Sequence, residues 1–161
     1  MPVDADVYKR VMRRLASGVT IVTLRAGEEI HGLTVSAFCS VSLDPPLVLV
    51  CIGTDLHSHE LIERGHSFAV NFLSEDDAEL SDRFAGRIEG VTDRFAGLTH
   101  SSAVTGAPIL DRCIAYLDCT VYAAYPGGDH TIYVGQVEAA DIGTDRPPLV
   151  HYNGQYRRLM L

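Results

Sequence analysis

No stretch of this 161-residue chain approaches the roughly 18 consecutive apolar residues that a membrane-spanning helix requires. Basic charge is scarce: Lys9 is the single lysine, and the twelve arginines are scattered rather than gathered in a stripe. With 13 Lys+Arg against 21 Asp+Glu, the formal net charge is −8. An acidic surface repels phosphate backbones, which argues against sequence-independent nucleic-acid binding. A small anionic ligand needs a local site built against that global field. The glycine fingerprint GxGxxG and the P-loop are both absent, so a nucleotide has to be held in some other way. No GxSxG elbow makes Ser36 or Ser58 a hydrolase nucleophile. The carboxylates fall in helix-start and turn contexts and offer no paired acid–base site. Cys39, Cys51, Cys113 and Cys119 include no CxxC pair, which removes the zinc knuckle and the redox dithiol. Each lies in an apolar, strand-like run, where a thiol behaves as a small hydrophobe, so all four are expected to be buried and reduced. The N-terminus, with Asp4, Asp6, Lys9 and Arg10, lacks the apolar segment of a signal peptide. Together these features predict a cytoplasmic protein with no membrane attachment.

What is present suits a single folded domain over residues 1–161, with 47% hydrophobic and 21% charged residues. Asp4 is placed to cap a helix whose apolar positions Val7, Val11 and Leu15 recur at helical spacing, with Gly18 as its stop. The period then changes. Val19–Leu24, Leu33–Phe38 and Leu47–Ile52 read as strands, divided by Ala26-Gly27 and Asp44-Pro45-Pro46. A short helix is predicted over Ser58–Arg64, a strand over Ser67–Leu73, and a helix over Glu75–Phe84 with Asp76 and Asp77 in its first turn. Residues 86–110 read as a loop with short helical pieces. Ile114–Tyr125 and Thr131–Ala140 form a long hairpin across Pro126-Gly127-Gly128-Asp129, and Leu149–Tyr152 pairs with Tyr156–Leu159 across Asn153-Gly154. About seven closely spaced strands with few helices between them favour an antiparallel barrel over a parallel sheet.

Three constellations are candidates to carry chemistry. From Gly32 to Ser42, hydroxyls at Thr34, Ser36, Ser40 and Ser42 alternate with apolar residues, so one face of an extended segment offers hydrogen bonds to the edge of a planar heterocycle. An ordinary half-exposed strand has the same pattern, and the alternation alone leaves both readings open. In Thr54-Asp55-Leu56-His57-Ser58-His59, Ser58 is a candidate N-cap, and the free N–H groups of a helix start attract phosphate. A plain capping serine is the alternative. His57 and His59, two residues apart, do not share a helix face, so no metal site is expected. Gly127-Gly128-Asp129-His130 sets a histidine just after a hairpin turn, suited to a proton or hydrogen-bonding role, with Asp129 adjacent to orient it. A turn aspartate beside an incidental histidine is the plainer reading.

Taken together, the stretches Gly18–Thr23, His31–Val50, Phe68–Leu73, Asp82–Gly86, Gly128–Gly135 and Pro148-Leu149 resemble the short-chain flavin reductase family. Its members are NAD(P)H:flavin oxidoreductases that supply reduced flavin to two-component monooxygenases. The resemblance implies a mainly β fold, an FMN-binding split β-barrel (a Greek-key-like antiparallel barrel) with a few short helices. It implies a homodimer with the flavin near the subunit interface, and a separate oxygenase as partner. FMN or FAD is the implied flavin, with NADH or NADPH as co-substrate. By the same resemblance Thr34, Val35, Ser36, Ala37, Ser40 and Val41 face the isoalloxazine edge and ribityl chain. Thr54, His57, Ser58 and His59 grip the flavin phosphate, with Arg83 and Phe84 beside it. Gly128, Asp129 and Tyr152 complete the cofactor site, and His130 positions the nicotinamide. The chain departs from the family at Thr54-Asp55-Leu56, where a basic residue or Asn is more usual, and at His151-Tyr152. A non-reductase split-barrel protein that carries or senses flavin or haem is the alternative function.

Overall fold

A computed structural model gives the fold of Met1–Leu161. The chain opens with α1 (Ala5–Met12) and runs through β1 (Ser17–Gly18), β2 (Thr20–Ala26), β3 (Glu29–Val35), β4 (Phe38–Leu43) and β5 (Pro46–Gly53) to α2 (His57–Gly65). Next come β6 (Ser67–Phe72) and α3 (Ala78–Phe84), then the two-residue strands β7 (His100–Ser101) and β8 (Ile109–Leu110). The long hairpin of β9 (Ala115–Gly127) and β10 (His130–Ile142) follows, and β11 (Val150–Tyr152) with β12 (Gln155–Arg157) ends the chain. The molecule is mainly β, with three short helices.

Seven strands form one antiparallel sheet in the order β3-β2-β6-β9-β10-β5-β4. Its outermost strands, β3 and β4, are consecutive in the chain and joined only by Ser36 and Ala37. In a flat sheet, six strand spacings would hold these edges about 29 Å apart. Three Cα steps reach at most about 11 Å. The sheet therefore curls until its edges approach one another.

The curl encloses the main core: Val22, Leu24, Val50, Ile52, Phe68, Val70 and Tyr133, closed over by Leu61 and Ile62 of α2. A second cluster, with Ile21, Leu73, Leu80, Phe84, Leu110 and Leu149, packs α3 against the other face of β2. Both faces of β2 are thus covered, which is why every residue of Val19–Leu24 is buried, Thr20 and Thr23 included, instead of alternating. Each fully buried side chain of this size contributes roughly 1.5–3 kcal/mol. Two buried polar side chains, Asn71 and Asp118, are well satisfied. Asn71 donates to Ile21 O (3.1 Å) and Thr23 Oγ1 (3.2 Å) and accepts from Leu110 N (2.8 Å). The buried Asp118 carboxylate accepts from Val104 N and Thr105 N and from the Thr105 hydroxyl, fastening residues 104–105 to β9.

Several local expectations need correction. Asp4 does cap α1, accepting from Asp6 N (2.9 Å), but the helix ends at Met12 and not at Gly18. Ser17 and Gly18 are instead drawn into pairing with His151 and Val150. Val7, Val11 and Leu15 stay exposed, so the stripe packs on nothing within the chain. α2 begins at His57 with Leu56 as its N-cap and no capping side chain, so Ser58 is not the cap. Asp76 and Asp77 precede α3 because the Asp77 carboxylate turns back to Ser74 N (2.9 Å) and Ser74 Oγ (2.8 Å) and faces Arg112. Residues 86–110 contain no helix, only turns and the β7–β8 pair. The long hairpin closes in two residues, Gly128-Asp129, because Gly127 still pairs with His130. The Asn153-Gly154 turn holds as expected, with φ 52° and 76°, as a type I′ turn requires. Cys113 and Cys119 are buried and Cys51 half-buried, but Cys39 is exposed because it lies on an edge strand; all four are free thiols.

Candidate functional site

The break between β3 and β4 is a tight turn in which Phe38 N donates to Ser36 O (2.9 Å). It leaves Ser36 and Ala37 exposed and splits the alternating segment into two strands. A β-bulge between Ser40 and Ser42 shifts the phase again, so the four hydroxyls do not share one face. Val35 is core. The Thr34 hydroxyl donates to Ser81 O (2.5 Å), toward α3. Ser40 and Val41 lie exposed along β4.

Two clefts meet at Ser36. One, of about 490 Å³, is mainly apolar and is lined by Val19, Phe38, Phe72, Ile114 and Leu149. The other, of about 470 Å³, runs between α1 and the strands and is lined by Tyr8, Lys9, Arg13, Ser17, Ala37 and His151. Tyr152, next to His151, is half-buried in β11.

Two motifs that lie 75 residues apart are joined at the same end of the sheet. His130 pairs with Gly53, and Thr54 donates to Asp129 O through its N–H (3.0 Å) and its hydroxyl (3.2 Å). Cys51 N, two residues before, donates to Ala37 O (3.1 Å), which ties the β3–β4 break to this group. His130 Nδ1 lies 2.7 Å from Asp129 Oδ1. This hydrogen bond is the main cause that holds the Asp129 carboxyl below the usual carboxylate range. With Nδ1–H donating to Asp129, Nε2 is left without a hydrogen-bond partner in the chain.

The three residues His57, Ser58 and His59 diverge. The His57 ring sits between Glu29 (2.6 Å) and Glu60 (3.5 Å), and Arg64 also reaches Glu29 (2.9 Å). Ser58 is 2% exposed. His59 Nε2 meets Thr131 Oγ1 (2.9 Å) on β10. The shallow hollow that Thr54–Arg64 line carries three carboxylates, Asp55, Glu60 and Glu63. Arg83 is engaged by Glu79 and by the carbonyl oxygens of Arg94 (3.4 Å) and Ala96 (3.0 Å). Phe84 is fully buried, edge-on to Phe95 at 5.1 Å. Of the residues expected to meet a cofactor, the structure therefore brings together Ser36, Ala37, Thr54, Gly128, Asp129 and His130. It turns Val35, Ser58 and Phe84 inward.

Sequence reasoning passed over the basic cleft and His31. The His31 ring lies 5.5 Å from that of His57 and is pushed down to about 4, first by burial and then by the nearby charges of Arg94 and His57. Lys9 and Arg13 had one available signal: they sit on a basic segment of an otherwise acidic chain.

Residues 12–160 match the family model for the flavin reductase-like domain. The chain is 40% identical over 156 residues to the reductase component of 4-hydroxyphenylacetate 3-monooxygenase from Thermus thermophilus, covering 96% of this chain and 97% of that one. It is also 40% identical over 156 residues to an NADH-dependent flavin reductase from a Rhodococcus species, covering 95% and 85%. Among solved structures it is similar to the NADH:FAD oxidoreductase SgcE6 of Streptomyces globisporus in complex with NAD and FAD fragments. That likeness has a TM-score of 0.89 at 34% identity and covers 99% of this chain and 97% of the other.

Proposed function

The chain belongs to the flavin reductase-like domain family, and on that premise we propose that it is an NAD(P)H:flavin oxidoreductase of a two-component monooxygenase. It takes hydride from NADH or NADPH, passes it to FMN or FAD, and hands the reduced flavin to a separate oxygenase. The observation that carries this proposal is the similarity over nearly the whole chain to proteins named as reductase components. It favours a reductase over a carrier or sensor of flavin or haem.

The residues present suit a flavin. The apolar cleft falls within the roughly 300–1,000 Å³ of ligand pockets, and Ser36 supplies a polar group at its mouth. When bound, the flavin supplies the hydride-accepting chemistry. The chain's own part is to position and to exclude water. Val19, Phe38, Phe72 and Leu149 shield a ring face, while Ser36 and Ala37 offer a hydrogen-bonding edge. Ser40 and Val41 extend that edge along β4. His130, its Nδ1 fixed by Asp129, directs Nε2 toward the nicotinamide carboxamide and so lowers the orientational cost of hydride transfer. Thr54 clasps the Gly128-Asp129 turn that carries it.

The curled sheet is read as a split β-barrel forming one domain over residues 1–161. A homodimer is supported by the face that the sheet turns away from its core. Residues paired across strands share a face, which groups Tyr125, Ile132, Val134, Leu49, Cys51 and Cys39. All of them are exposed or half-exposed and nothing in the chain covers them. Four free thiols suit the reducing cytoplasm, and no helix is long and apolar enough to cross a membrane. The test is steady-state oxidation of NADH and of NADPH with FMN, FAD and riboflavin added separately. A rate that no flavin raises above the enzyme-free control sinks the reductase proposal. Light scattering should report twice the 17.5 kDa chain mass; a monomer at micromolar concentration rules out the dimer.

A further inference from the structure

We propose that the cleft between α1 and the β1–β11 edge is an anion site for the phosphate or pyrophosphate arm of a nucleotide cofactor, held by Lys9, Arg13 and His151. It rests on the flavin reductase proposal for the identity of the cofactor, but the site itself stands on charge and shape. Most other surface arginines are matched to a carboxylate: Arg64, Arg83, Arg87, Arg112, Arg146 and Arg158 each have one. Arg10, Arg13 and Arg14 have none, and Lys9 reaches only Asp6, at 3.9 Å. In a chain of net charge −8, neighbouring guanidinium groups without acid partners leave a local positive field.

That field is concentrated in concave space. The cleft of about 470 Å³ is lined by Lys9, Arg13 and His151 with the hydroxyls of Ser17 and Ser36, and by no carboxylate. Arg13 is also shared with an adjoining hollow lined by Arg10, Arg14 and Asn153, again without a carboxylate. The end of α1 is fixed in place because Asn153 N donates to Arg13 O (2.9 Å). By contrast, the hollow at the start of α2 holds three carboxylates, Asp55, Glu60 and Glu63, and its one guanidinium, Arg64, is already engaged by Glu29 and Glu60, as His57 is. Ser36 borders both the basic cleft and the apolar one. A ligand with a planar ring in the apolar cleft and a charged arm crosses at that residue.

The decisive variant is Lys9→Gln with Arg13→Gln. α1 has no buried residue, so the fold is expected to survive, and circular dichroism checks it. Inorganic pyrophosphate titrated by calorimetry into the flavin-free protein reads the cleft with no cofactor present: the wild type binds and the double variant does not. If the wild type fails to bind pyrophosphate, or the double variant binds it equally, the site is overturned. Two further arms identify the source of the phosphate. If it is the flavin's, the variant weakens FMN about tenfold while riboflavin, which has no phosphate, moves less than twofold. If it is the nicotinamide dinucleotide's, FMN affinity holds and the KM for NADH at saturating riboflavin rises about tenfold. No change in either arm overturns the cofactor assignment. Pyrophosphate binding that the variant abolishes, in a protein that oxidises no NADH with any flavin, leaves the anion site standing and refutes the reductase.

Discussion

Replacing Asp118 by alanine should destabilise the protein without altering its site. The carboxylate is fully buried and accepts three hydrogen bonds, from Val104 N (2.7 Å), Thr105 N (2.8 Å) and the Thr105 hydroxyl. Each bond to a charged acceptor contributes about 1.5–3 kcal/mol. Against that sum stands the cost of keeping a carboxylate out of water, several kcal/mol, which the variant no longer bears. Val104 is exposed and Thr105 half-exposed, so water can satisfy part of what is orphaned. The net loss should be about 2–4 kcal/mol, or roughly 4–16 °C in Tm for a chain of this length. Asp118→Asn keeps one acceptor oxygen and should lose less. The chain has no tryptophan, so urea unfolding is best followed by circular dichroism. Asp118 lines neither cleft, and NADH kinetics of the folded variant should match the wild type. A midpoint shift worth less than about 1 kcal/mol at unchanged m would refute the tether, as would altered kinetics at intact stability.

Three further outcomes are expected. The His31 ring is held near 4 against an ordinary 6.5, so between these values the unfolded chain binds the extra proton. Its contribution is complete above pH 6.5 and is lost as pH falls toward 4. The full shift corresponds to about 3.4 kcal/mol, which solvent screening at a half-exposed ring reduces to about 1–2 kcal/mol. The stability difference between wild type and His31→Gln should therefore shrink between pH 7.5 and 4.5, and a flat difference contradicts the assignment. Gly32→Ala would set a Cβ 2.5 Å from Phe84 Cε1 and 2.7 Å from Cδ1, so the buried ring must move, at about 1–3 kcal/mol; an unchanged urea midpoint would show that it yields freely. His130→Ala should raise the KM for NADH or lower kcat about tenfold while flavin affinity moves less than threefold, with Asp129→Asn intermediate; loss of FMN binding with intact NADH kinetics would reverse the two roles.

Features set by neighbours in the chain were legible from the sequence. Asn153-Gly154 closes its hairpin because positive φ at both positions is a local matter. The Val19–Leu24 run marks a strand covered on both faces. The stop of α1 was not legible, since Gly18 is a good local stop but Ser17 and Gly18 gain a ladder with Val150 and His151, far along the chain. Nor was the divergence of His57, Ser58 and His59. A helix start does attract anions, but His57 is claimed by Glu29, 28 residues earlier, and His59 by Thr131, 72 residues later. Local capping logic has no access to partners at such separations.

The same distinction explains why the alternating hydroxyls mark a segment that borders both clefts while misdescribing its shape. Thr34 and Ser36 before the break and Ser40 and Ser42 after it keep the same phase, and the apolar Ala37-Phe38-Cys39 between them reads as strand as readily as turn, so the pattern does not mark a change of strand. The change is imposed by closure: a seven-stranded sheet whose first and last strands are consecutive has to turn sharply between them. A turn that tight cannot pair every backbone group along a ladder, and it leaves two residues exposed in the middle of an apolar region. Ser36 borders both clefts, Ala37 borders the basic one, and through Cys51 they adjoin the strand end that carries Thr54 and meets His130. The place where the sheet meets its own edge is thus also where hydrogen-bonding groups, apolar walls and positive charge converge, and the chemistry proposed for this chain follows from how the sheet closes.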